Sequence, residues 1–170
     1  GNLGGYELHV VSELPDTIAP TIEISSSAET LALGDTATLT FSLSEAPASL
    51  VSSMISVEGG TLSGFTARST LVYTANFTPS TNSNRNGVVS VAANAFSDNS
   101  GNGNTASEPI TFSVDTLRPN IAIGSDRSAL RVDETASLSF TLSEASADFS
   151  AEDLAVSGGT LSNFTGSGSS

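Results

Sequence analysis

The chain has 170 residues, 38% hydrophobic and 14% charged, with no cysteine and no tryptophan. Eighteen acids face five basic residues, all arginine, for a net charge of −13, which opposes binding to nucleic acid and to anionic lipid. Disulfides and thiolate metal sites are ruled out, and no apolar run approaches the ~18 residues of a membrane helix.

Alternation of apolar and polar residues is the main signal along the chain. Residues 1–15 read as the last strand and linker of a preceding unit, because Tyr6, Leu8 and Val10 alternate. A first strand follows at Ile22 and Ile24. A second carries Ala37, Leu39, Phe41 and Leu43 inward, and a third carries Ile55 and Val57. Gly59-Gly60 marks a turn into a short fourth strand with Leu62 and Phe65. Leu71, Tyr73, Ala75 and Phe77 make a fifth, Val89, Val91 and Ala93 a sixth, and Ile110, Phe112 and Val114 a seventh. Turn-rich stretches at 79–87 and 97–104 separate them. Seven short strands in about 100 residues predict an all-β fold of immunoglobulin-like β-sandwich domains in tandem.

The tandem arrangement rests on an internal repeat. The stretch from Asp16, DTIAPTIEISSSAETLALGDTATLTFSLSEA, returns from Asp115 as DTLRPNIAIGSDRSALRVDETASLSFTLSEA, an offset of 115 − 16 = 99. VEGGTLSGFT from Val57 and VSGGTLSNFT from Val156 keep the same register. The predicted organisation is a preceding unit's tail at 1–15, a complete unit at 16–114 and the N-terminal part of a second at 115–170. Half a sandwich exposes core residues and unpaired edges. The chain is therefore expected to be cut from a longer array, or to receive its partner strands from elsewhere.

Chain direction gathers acids at one end. With strands alternating up and down, the incoming linker (16–20), the loop after the second strand (44–49) and the loop after the sixth (97–107) share a pole. Asp16, Glu45 and Asp98 fall in these three stretches, with Asn102 and Asn104 beside them. Asp115 and Glu144 repeat the first two in the second unit. Converging carboxylates repel unless a cation sits among them, and calcium takes six to eight oxygen ligands. The metal-ligand candidates are Asp16, Asp98, Asp115, Glu45, Glu144 and Asn102, for a calcium ion at each domain junction. The competing reading is ordinary turn chemistry, in which Asp before Thr hydrogen-bonds its own backbone. Glu29 and Asp35, at the opposite pole, read as solvated loop acids. Met54 stands where the second unit has Asp153, so a ligand there cannot be general.

Catalytic signals are weak. His9 is the only histidine, so Ser-His-Asp, Cys-His and His-rich zinc sites are unavailable within the chain. The acids lie in turns without an aromatic cleft for sugar, and an enzyme is not expected. Asn76-Phe77-Thr78 and Asn163-Phe164-Thr165 match a glycosylation pattern, but Phe77 reads as core.

The combined motifs D-T-x-x-P at Asp16 and Asp115, F-x-L-S-E-A at Phe41 and Phe140, G-G-T-L-S-x-F, and F-S-D-x-x-G-N at Phe96 resemble the bacterial immunoglobulin-like repeats of giant RTX and biofilm-associated adhesins. The resemblance implies a type I secreted protein at the bacterial cell surface, in which many such units form an extender supporting adhesion and biofilm formation. It implies calcium at the linkers, on Asp16 and Asp115, and a loop ligand at Asp98. The partners are then the neighbouring repeats, and the adhesive ligand is bound elsewhere in the full protein. The alternative is a carbohydrate- or protein-binding accessory module of a secreted protein.

Overall fold

The computed structural model describes residues 14–166 and 168. Tyr6, Leu8, His9 and Val10 lie outside them. The chain divides into two compact units, Gly1–Leu117 and Arg118–Ser170.

The first unit is a sandwich of two four-stranded sheets. Its strands are β1 (Ile22–Ser26), β2 (Thr30–Ala32), β3 (Ala37–Leu43), β4 (Ile55–Glu58), β5 (Gly60–Ala67), β6 (Val72–Pro79), β7 (Gly87–Val91) and β8 (Ile110–Asp115). One sheet has the order β1-β3-β6-β5 and the other β2-β8-β7-β4. All pairings are antiparallel except β2 with β8, which runs parallel, Leu31 opposite Val114. The alternation read from the sequence is the burial pattern. In β3, Ala37, Leu39, Phe41 and Leu43 are buried and their neighbours face outward. Phe77 stacks on Phe112 with ring centroids 4.6 Å apart, joining the two sheets at the centre of the core.

Three expectations need correction. The unit has eight strands, not seven: after the first the chain turns at Ser26, whose hydroxyl donates to the Ala28 carbonyl, and the stretch read as a loop adds β2 to the other sheet. A three-residue strand with one buried residue, Leu31, leaves no periodicity to read. The fourth strand is long, not short. Its irregular spacing, Leu62 then Phe65, reflects a register shift between Ser63 and Thr66. Gly64 sits there at φ +62°, and Phe65 contacts Phe41 and Tyr73. The sixth strand stops at Val91, so Ala93 is exposed and Asn94 turns the chain at φ +56°.

The second unit holds a two-stranded sheet of β9 (Ile121–Ser125) and β10 (Leu138–Leu142), with Leu142 opposite Ile121. Phe140, Phe149 and Phe164 form a small aromatic cluster, their centroids 5.5–5.9 Å apart. Ile123 is 62% exposed where its counterpart Ile24 packs on the first unit's core.

Candidate metal centre

Three segments meet at the pole where β1 begins and where β3 and β7 end. The incoming linker is tied to both loops. Thr21 N–H donates to Ser44 Oγ at 2.9 Å, and Ser44 N–H donates back to the Thr21 carbonyl at 3.1 Å. Thr105 N–H donates to the carbonyl of Pro20, a fully buried residue. The two loops are joined by a bridge between Pro47 and Asp98 and by Ala48 N–H donating to Ser97 O at 2.8 Å.

This scaffold brings Asp16, Glu45 and Asp98 together. One carboxylate oxygen of each lies within 4.8 Å of the others. Asp98 is buried, 3% exposed. Its Oδ1 accepts from Ser100 N–H and Asn102 N–H, both at 2.8 Å, and its Oδ2 accepts from Asn102 Nδ2 at 2.8 Å. Burial pushes its pKa up, but these donors outweigh that and hold the carboxyl below its ordinary value. Glu45 is displaced the other way. Burial raises its pKa first, and repulsion from Asp16 and Asp98 raises it further. So the donors around Asp98 favour its charged form, while the charges of Asp16 and Asp98 disfavour that of Glu45.

Asn102 lies beside the cluster. Its amide nitrogen faces the cluster, donating to Asp98 Oδ2 and to the Asp16 carbonyl at 3.1 Å. In this arrangement it bridges loop and linker. Asp16 Oδ1 accepts from Ile18 N–H at 3.0 Å, which is the turn chemistry of the competing reading, and Asp16 also stands in the carboxylate cluster. Residues 16–114, and again 115–170, match the family described as Bacterial Ig-like domain.

The chain belongs to that family. Searches of curated proteins and of solved structures gave no match. A bacterial Ig-like domain is a structural β-sandwich module, of a non-catalytic type. In the first Ig-like unit Asp115 ends β8, and its Oδ1 accepts from Leu117 N–H at 3.2 Å as Asp16 does from Ile18. In the second, Glu144 follows β10 and is half-buried. Two further acids bond within their own turns. Asp35 Oδ2 accepts from Ala32 N–H, and Asp153 Oδ2 accepts from the N–H and hydroxyl of Ser150.

Two residues essential to this pole were not singled out as such. Asn104, 2% exposed, accepts from Phe96 N–H and donates to the carbonyls of Ala92 and Thr105. It closes the loop that carries Asp98. Ser44 clamps the linker, and Ser143 does the same for Asn120 at 2.9 Å. The sequence signal was there: both serines sit in the repeated L-S-E-A.

Proposed function

We propose that this chain is a spacer segment of a large bacterial surface adhesin, and that calcium held by Asp16, Glu45 and Asp98 stiffens the joint between its Ig-like repeats. The observation that carries the reading is the convergence of those three carboxylates within 4.8 Å where linker and loops meet. All are hard oxygen donors of the kind calcium prefers. Asp98 has three donors on its roughly four lone-pair directions, leaving room for a cation on Oδ2. An ion there would neutralise the repulsion that Glu45 experiences and tie the incoming linker to two loops of the domain that follows.

The repeat supports the spacer role. Repeated modules in series add length, and a strand of about seven residues spans about 23 Å. In this reading the protein lies outside the cell after type I secretion, its repeats contact one another, and adhesion and biofilm formation depend on a ligand-binding region elsewhere in the full protein.

Calorimetric titration of the chelated chain with calcium tests the site. Saturation to a hundred times Kd should add about 2.7 kcal/mol to the first unit, a rise in Tm of roughly 10 °C or more. Asp98→Asn should abolish the rise. Equal melting curves in calcium and in chelator would end the calcium part of the proposal.

A further inference from the structure

The Asp-Thr pair of the linker divides its duties between neighbouring elements. Asp16 belongs to the carboxylate cluster, whereas Thr116, the threonine of the second Asp-Thr pair, is built into the domain it leaves. Thr116 is 1% exposed although it lies beyond the last strand. Its hydroxyl donates to the Ser80 carbonyl at 2.7 Å, shares that hydrogen with the Ser83 carbonyl at 3.1 Å, and accepts from Ser83 N–H at 2.9 Å. Its backbone N–H donates to Ser83 O at 2.8 Å, and its carbonyl accepts from Asn82 N–H at 3.2 Å. Every polar group of Thr116 is thus taken by the loop between β6 and β7, which turns back through Asn82 at φ +54°.

The chain is fixed again four residues later. Asn120 N–H donates to Ser143 Oγ at 2.9 Å, and Ser143 N–H donates to the Asn120 carbonyl at 2.8 Å, both within the second unit. Between the two anchors lie Leu117, Arg118 and Pro119. The proline ring fixes its own φ and restricts the residue before it.

We propose that Thr116 is a positioning residue, a hydroxyl latch that confines the mobility of the joint to Leu117 and Arg118. A buried hydroxyl with three partners resists opening, because release strands the Ser80 and Ser83 groups. The latch makes no use of a cation, so it stands or falls separately from the calcium site, and its test is run in chelator.

Native-state amide exchange on the unaltered chain is the first arm. The amides of Ser83 and Thr116 should exchange at least about a hundredfold more slowly than that of Arg118; equal rates overturn the proposal. The second arm is a spin-label distance measurement between Thr61→Cys and Thr141→Cys, one in each unit of a chain with no native cysteine. Thr116→Val frees residue 116 while Asp115 stays paired with Ala32, lengthening the free stretch from two residues to three, and should widen the distance distribution by about 1.2-fold on √n scaling. Thr116→Ser should restore the original width. An unchanged width in Thr116→Val overturns the proposal even if Tm falls. If that variant does not fold, the exchange arm decides.

Discussion

Glu45 and Asp98 show how residues of one chemical type take opposite roles from their surroundings. Asp98 has a lowered pKa, so the stability it contributes is present above its ordinary value near 3.8 and is lost as pH falls through the folded value. Glu45 has a raised pKa, so the ion-free fold binds its proton more tightly than the unfolded chain does. That fold gains stability as pH falls from neutral through the raised value towards 4.5. In chelator, Tm should therefore rise on mild acidification and fall on stronger acidification, as a pH series of melting curves would record. Glu45→Gln should remove the rising limb and raise Tm in chelator at neutral pH, while lowering the calcium-induced increment. The same substitution thus changes sign with the cation. Two glycines act through space alone. A Cβ at Gly60 would lie 2.5 Å from Phe77 Cζ, and one at Gly87 would lie 2.4 Å from it. Gly87→Ala should cost about 1–3 kcal/mol by overpacking, measured by urea unfolding. The sequence shows Gly59-Gly60 as a turn, but the second glycine is needed for the ring that lies beneath it.

Among the elements, the strands with several alternating residues were legible and the irregular ones were not. β3 and β8 read directly, since inward and outward positions differ in polarity throughout. β2 escaped notice because it is held by one buried leucine and a parallel pairing that joins residues 83 positions apart, Leu31 and Val114. The end of β7 was misread because Ala93 continues the alternation, whereas Asn104 draws the Ala92 carbonyl away from any ladder. The bulge in β5 left a trace that only its geometry interprets. Gly64 stands at φ +62° and its repeat partner Asn163 at +54°, the two residue types that tolerate this region most readily. Gly64→Asn should cost less than about 1 kcal/mol, and Gly64→Val about 1–3 kcal/mol, compared by thermal melts. Equal effects would show that the bulge does not demand a positive φ.

At the scale of the whole molecule, one sequence pattern is present in two settings. GGTLSGFT, from Gly59, is mostly strand β5 paired along β6, while GGTLSNFT, from Gly158, forms no strand. Residues 154–157 likewise lack the strand that their counterparts form as β4 against β7. The second unit contains no equivalents of β6, β7 and β8 within this chain, so its later segments have no ladder to join. Fusing a second copy of residues 72–115 after Ser170 should convert 159–166 to strand. Amide exchange in that stretch should then slow by at least about a hundredfold. Continued fast exchange would show that sequence differences between the units, not missing partners, keep it irregular.

The two settings also separate what is local from what is not. Positive φ recurs at Gly34 and Asp133, at Gly59 and Gly158, and at Gly64 and Asn163. The turn at Asp16 recurs at Asp115, and the clamp of Thr21 on Ser44 recurs as that of Asn120 on Ser143. These features were determined by the sequence alone, because each closes within a few residues or between one pair of neighbouring strands. The period, the polarity of the strands and the choice of one pole for the acids follow from the sequence as well. Whether a segment becomes a strand, which sheet β2 joins, and that Asn102 turns its nitrogen toward the carboxylates were decided by tertiary structure. A backbone ladder or a shared carboxylate exists only when a distant part of the chain supplies its other half.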